Sequence, residues 1–463
     1  MHGRNAAFHM QRRSGGAGEA PRIGNTRNLF RPRPDQLFSA GGLVEEALER
    51  NNEEPLRTLL RHLADRMARR EDWPDTLSPL PTQPPDLALQ SFENPGIPSG
   101  YTYLLQLIAH DMVDSAVSLA EASPGGTGFA NTRVEPLCLD TIYGGGPDAC
   151  PQAYDFDLPY RQSRGGVPKT RLRLGRLSDP ATGSTAGCPF RDLPRAIPVD
   201  VSDHGLNPGE QLDLSTAGRR PWRTEPLVGD VRNDSHALIS QLTVLFHILH
   251  NHVLGLLGVS PSAPRQAYAN FICARTVVTL IYRAILVQDV MRRILHPAVY
   301  QRYAIDQLDL LEQDDDDTFR LAAMPVEFSH GAFRFGHAMV RDEYRVNSDV
   351  VRQFGDALDL SSTHGSNRLP VNLLWHVDWS RFYETGPQPP NFSRRIGPMT
   401  SGPLLNSSPF PPLDPATDTW GVGNRDLISS TYARLWSVPA LIDHLRSLPS
   451  VSPLLPAYAD WQP

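Results

Sequence analysis

The sequence predicts a mainly α protein, a single large helical domain threaded by long irregular connecting segments. Three features of the 463 residues carry that expectation. Apolar residues recur at helical spacing in several long runs, and strand-like alternation is sparse. Proline accounts for 43 positions, about twice the usual share, so much of the chain must run outside helix and sheet. Hydrophobic residues make up 40% and charged residues 21%, which is ordinary for a globular chain. The net charge of −7 is spread without a strong block and gives no reason to expect nucleic acid or an anionic membrane as partner. The acidic run Glu312–Asp317 reads as a solvated loop. No internal repeat is visible.

Taken in order, residues 1–40 are Arg/Gly/Pro-rich and read as a mobile arm, which leaves 41–463 for the domain. Leu43–Arg70 has helical spacing, interrupted at Pro55. Residues 73–100 are dense in proline and read as extended coil. A helix is expected from Ser99, a suitable N-cap, to about Ala122, where Ser123-Pro124-Gly125-Gly126 stops it. Residues 124–231 are irregular. Two long helices should follow, one opening after Arg232–Ser235 and ending near Gly258, the other from Pro264 to His296. Residues 333–345 suggest a short apolar helix or turn, and Ala416–Ser450 holds further helical segments. The apolar stretch 237–258 carries Gln241, His247, His250, Asn251 and His252, too polar a set for a bilayer span.

Four cysteines, Cys138, Cys150, Cys188 and Cys273, are too few for a disulfide framework, although Cys138 and Cys150 could bridge a surface loop. The N-terminus lacks the apolar run of a signal peptide. The expectation is a soluble protein, cytoplasmic or exported without a recognisable leader.

Three stretches place polar groups where burial is expected. In LLQLIAHDMVDS, Gln106 and His110 lie four residues apart and project from one helix face, while Asp111 points elsewhere. A buried neutral imidazole is either a core histidine bonded to a carbonyl or a proton shuttle. In GDVRNDSHALISQL, Arg232 either pairs with Asp230 or Asp234 or presents a fixed cation to a developing negative charge. In AFRFGHAMVRDEY, His337 follows Gly336, which would let a flat ligand approach the imidazole. The cluster His247, His250, His252 has no HExxH pattern and reads as structural.

These stretches, in this order, resemble the animal-type haem peroxidases, the superfamily of myeloperoxidase, lactoperoxidase and cyclooxygenase, in its bacterial form. The resemblance runs from about residue 95 to 445. Gln106, His110 and Asp111 match the family's distal Gln-x-x-x-His-Asp, and Tyr143–Pro147 its Tyr-Gly-Gly-Gly-Pro element. Arg232 matches the distal arginine, His250-Asn251 a structural pair, and Phe333–His337 the proximal Phe-Arg-Phe-Gly-His. The resemblance implies a haem enzyme that reduces hydrogen peroxide and oxidises small organic donors, or halides, through a ferryl intermediate. It implies His110 as distal base, Arg232 as charge stabiliser and Gln106 as a hydrogen-bonding partner for distal water or a halide. His337 becomes the axial iron ligand, with Asn406 as acceptor for its second ring nitrogen and Arg334 as partner of a haem propionate.

Two departures matter. Family members that esterify their haem use carboxylates where this chain has Ala109 and Ser235, so haem b held without covalent bonds is expected, and with it a weaker oxidant for halides. The calcium loop that usually partners the Asp111 position is not visible in 155–200, so calcium stays open, and Asp111 could instead anchor the irregular segment. Two rival readings remain. A fatty-acid dioxygenase of the cyclooxygenase type needs a tyrosine three residues before the proximal histidine, and Arg334 stands there. A haem-free binding protein keeping the fold would have no need of the set Gln106, His110, Arg232 and His337.

Overall fold

In the computed structural model, backbone bonding closes mostly within helices, as the apolar spacing requires. The structure describes residues 54–67, 93–114, 131–133, 137–155, 170–196, 225–258, 264–305, 326–347, 350–362, 369–397, 400–404, 421–433, 435, 442 and 446. Five longer helices organise them: α1 (Glu54–Met67), α2 (Gly100–Met112), α3 (Ala237–Leu256), α4 (Pro264–Ile285) and α5 (Val422–Tyr432). Strands among the described residues are short and occur as five two-stranded antiparallel pairs, such as Glu93–Pro98 with Phe392–Arg394. The mainly α expectation holds.

The core gathers α2, α3 and α4 around Leu107, Ile108, Tyr143, Ile239, Phe271 and Val278, with Tyr103 set among the rings of Tyr344, Phe354 and Phe382. α1 carries Leu56, Leu60 and Ala64 on one buried stripe and packs against α5. The first part of the region expected as helix from Leu43 lies outside the described residues.

Several boundaries differ from the sequence expectation. Ser99 precedes α2 but its side chain makes no capping bond. The helix start is held instead by backbone, Ser99 N donating to Asn391 O at 2.7 Å and Gly100 N to Phe382 O at 2.8 Å. α2 stops at Met112 rather than near 122, because Val113 turns extended and the helix's last carbonyls are taken from outside. The guanidinium of Arg232 donates to His110 O at 2.8 Å and to Val113 O at 2.7 Å. Asn131 donates to Met112 O at 2.8 Å. A cation at a helix C-terminus satisfies orphan carbonyls and suits the macrodipole.

The irregular section after 137 is pinned by buried side chains. Asp111 accepts from Leu139 N at 3.0 Å and Thr141 N at 3.3 Å, the anchoring role left open for it. Asn251 clamps Leu172 through both amide groups, and His247 and His250 bond the carbonyls of Arg173 and Thr170. The histidine cluster is thus tied to backbone. Cys138 and Cys150 are both buried thiols, and no disulfide joins them.

α3 opens as expected in place but by a different residue. Asp230 caps the turn Val231–Asp234, and His236 caps α3 by accepting from Ile239 N. Two stretches, Ala237–Leu256 and Arg265–Ile294, are long and apolar enough to cross a membrane by length and composition alone. The first is 72% buried and is a core helix, whereas the second is only 28% buried.

Candidate active site

The turn Val231–Asp234 and the turn Ala332–Met339 both pack against α2, so the segments bearing Arg232, His337 and His110 meet along one helix. His110 sits in the last turn of α2, and its Nδ1 lies 2.8 Å from Asn233 Oδ1. Asn233 donates its Nδ2 to Thr141 O and to Thr141 Oγ1, both at 3.0 Å, which fixes the amide so that Oδ1 faces the imidazole. An acceptor there requires Nδ1 of His110 to carry the proton, and Nε2 is left with its lone pair. Burial, with the nearby Arg232 cation second, pushes the imidazole down to about 4, so it is neutral at pH 7. A part-buried, neutral, tautomer-fixed imidazole could accept a proton at Nε2.

Arg232 is more engaged than the sequence suggests. Its Nε donates to Asp230 Oδ1 at 3.0 Å and its Nη2 to Asp230 Oδ2 at 2.7 Å, while two further bonds cap α2. Asp230 is shared with Arg133 at 2.5 Å. Burial alone would raise that carboxyl, but the two guanidinium groups hold it far below the usual carboxylate range. The pairing with Asp230 that the sequence left open is therefore realised, and Arg232 joins the base's backbone to a buried ionic cluster.

Gln106, one turn before His110, has both ends of its amide occupied. His236 Nδ1 serves the α3 cap, so its Nε2 carries the proton and donates to Gln106 Oε1 at 2.9 Å. Gln106 Nε2 donates to Ser235 Oγ at 3.2 Å. The residue at one expected ester position thus helps orient Gln106.

On the other segment, His337 Nδ1 lies 2.6 Å from Asp426 Oδ2, and Arg334 Nη1 donates to Asp426 Oδ1 at 2.7 Å. The carboxylate of Asp426 is shared by both. Burial would raise it, yet the two cation-forming neighbours leave it lowered. Arg334, expected at a haem propionate, is paired with this aspartate. Asn406, expected as the acceptor for His337, lies outside the described residues, and the acceptor in place is Asp426. Sequence reasoning missed Asp426 and Asn233. An acidic residue on a largely buried helix with no basic residue four positions away was the available signal for Asp426.

Residues 202–373 match the family model for animal haem peroxidase. That stretch is similar to the animal haem peroxidases. The match contains Arg232, Arg334 and His337, whereas His110 and Asp426 lie outside it, so it is narrower than the 95–445 expected from motifs. No curated protein matches the chain.

The residues present fit the cofactor of that family. His337 is partly exposed, and among the described residues its Nε2 has no partner, as an iron ligand requires. A Cβ built on Gly336 would meet nothing within 4 Å beyond its chain neighbours, so the turn is open at the residue before His337. Among the described residues Arg334 Nε is buried without a hydrogen-bond partner, a donor available to a further acceptor. A haem peroxidase domain would use His337 to hold iron and the open turn before it to admit the porphyrin.

Proposed function

We propose that the protein is a haem-dependent peroxidase that reduces hydrogen peroxide and oxidises small organic donors, with haem b bound without covalent links. When bound, the haem iron supplies the electron transfer that splits the peroxide bond. His110 Nε2 accepts the proton from one peroxide oxygen and returns it to the other, so that water leaves. Asn233 holds the tautomer that makes this possible. Arg232, anchored on Asp230, lowers the basicity of His110 and fixes the end of α2 that carries it. Asp426 orients His337 and leaves Nε2 for the metal. Ala109 and Ser235 offer no carboxylate for an ester, which supports non-covalent attachment.

The observation that carries the reading is the pairing of two differently prepared imidazoles beside one helix. One is part-buried and neutral with Nδ1 on Asn233, and the other is more exposed with Nδ1 on a carboxylate. The dioxygenase reading finds no support here, since the position it needs as tyrosine holds Arg334, tied to Asp426.

The test pairs two variants. His110→Ala is expected to keep the Soret band while the bimolecular reaction with peroxide slows by roughly 10²–10⁴-fold, the usual share of a general acid–base. His337→Ala should lose or misligate haem. Acid–acetone should strip the pigment from the wild type. Undiminished peroxide reaction in His110→Ala would remove it from the mechanism, and pigment left on the protein would overturn non-covalent binding.

A further inference from the structure

The helix α4 and its continuation to Ile294 present an apolar face that stands exposed among the described residues. Ala267, Phe271, Ala274, Val278 and Tyr282 point inward, as a core helix should. On the opposite face Ile272 is 42% exposed and Leu280 is 58% exposed, with Tyr268, Val277 and Ile281 beside them. Apolar side chains on both faces are expected only where a helix is surrounded by protein or lipid. Leu256 and Leu257, at the end of α3, are exposed as well, at 75% and 40%.

The charge around this face is opposite to that of the chain. Residues 264–305 hold six arginines and one acidic residue, Asp289, in a protein whose net charge is −7. Arg275 and Arg293 are paired, with Asp140 and with Asp289. Arg265, Arg283 and Arg292 make no ion pair among the described residues. Arg265 and Arg283 are five helical turns apart, so they stand on one face about 27 Å from each other, with Ile272, Thr276 and Leu280 between them. A second copy is a poor occupant, because a two-fold contact would set this arginine rim against itself. An apolar ridge with a basic rim instead fits a surface that is hydrocarbon below and anionic above.

We propose that the outer face of α4 docks peripherally on an anionic phospholipid surface, with Ile272 and Leu280 entering the interface and with Arg265 on that face and Arg292, exposed just past the end of α4, meeting phosphate. The helix lies along the surface, since its inner face is part of the core and cannot leave it. This proposal stands independently of the peroxidase reading.

The test uses the full-length protein with vesicles of phosphatidylcholine alone and of phosphatidylcholine with one-third phosphatidylglycerol, separated by flotation. The wild type should float with the anionic vesicles and stay largely free with the neutral ones, and high salt should weaken the association. I272E/L280E should abolish flotation while the thermal midpoint stays close to wild type. R265Q/R292Q, which keeps the apolar ridge, should lower partitioning about 25-fold, since each arginine near such a surface contributes roughly fivefold. No flotation of the wild type with anionic vesicles overturns the proposal. So does flotation unchanged in both variants. A vesicle-free dimer that I272E/L280E converts to monomer would assign the face to a second copy and also overturn it.

Discussion

His110 and Asn233 show how a single contact prepares a base. Because the imidazole is pushed down to about 4, its neutral form persists through the mildly acidic range. The acid limb of the peroxide reaction should therefore fall near pH 4 rather than near the ordinary histidine value, as stopped-flow rates across pH 3–8 would reveal. Asn233→Leu removes the Nδ1 acceptor and frees the other tautomer. We expect a loss of roughly 10–100-fold in rate with haem retained, the scale seen for partners of functional histidines. Wild-type rates in that variant would show that the tautomer is set elsewhere. At His337 the corresponding change is Asp426→Ala, which should cost about 10–100-fold in haem affinity by titration of the apoprotein. His110, Arg232 and His337 could be singled out as candidates only because their stretches, in order, resemble the animal haem peroxidase motifs, since each taken alone reads as readily as a structural residue. Asp426 could not be, since its bond to His337 spans 89 residues and no local spacing encodes such a contact. Asn233 sat next to Arg232 in plain view, but only the fold shows that its amide, rather than its neighbour's charge, touches the base.

At the scale of elements, the end of α2 is set by tertiary contacts that override the sequence's own stop signal. Composition predicted a run to about Ala122, yet Arg232 and Asn131 take the carbonyls at 110–113 and end the helix at Met112. Replacing Arg232 by Ala should thus do more than remove a cation. It should leave Asp230 facing only Arg133 and let the last turn of α2 fray, which is measurable as faster amide exchange at 110–113. A second joint is Gly229, where an added Cβ would stand 2.7 Å from Ile142 O and 2.8 Å from Gly144 N. Gly144 itself adopts φ +55°, a left-handed conformation that favours glycine. Gly229→Ala should force apart the turn at 142–144 and the segment leading to Arg232, at about 1–3 kcal/mol of stability. Denaturant midpoints would measure it. The order of α3 and α4 was readable from apolar spacing. The run expected to reach His296 as one helix instead ends as α4 at Ile285 and continues through a wider turn at Leu286–Val290 to Ile294. The strand pairs were not readable, because segments of two to six residues carry too little alternation to read.

The whole molecule is expected to be sensitive to acid for a reason spread over three histidines. His110, His247 and His250 are each pushed down to about 4, burial being the largest cause. Once unfolded, each would bind a proton below about 6.5, whereas in the fold it stays neutral until about 4. The unfolded state therefore binds more protons in that window, and stability falls as pH drops from about 6.5 to 4. At 1.36 kcal/mol per unit, each site contributes a loss of order 3 kcal/mol by pH 4. Thermal midpoints should decline steeply below pH 6, and His247→Gln should flatten part of that slope. A midpoint flat from pH 7 to 4 would contradict these burials. All three histidines lie on or against α2 and α3, so protonation strikes the layer that holds the site.

The sharing of Asp426 between Arg334 and His337 has a consequence for biosynthesis. A nascent chain that has exposed His337 still lacks the carboxylate that aims its ring, and must be extended by 89 more residues before that partner exists. On the proposed reading, haem met before Asp426 emerges would be held about 10–100-fold more weakly, and a chain cut between 337 and 426 would carry the histidine without its orienting carboxylate.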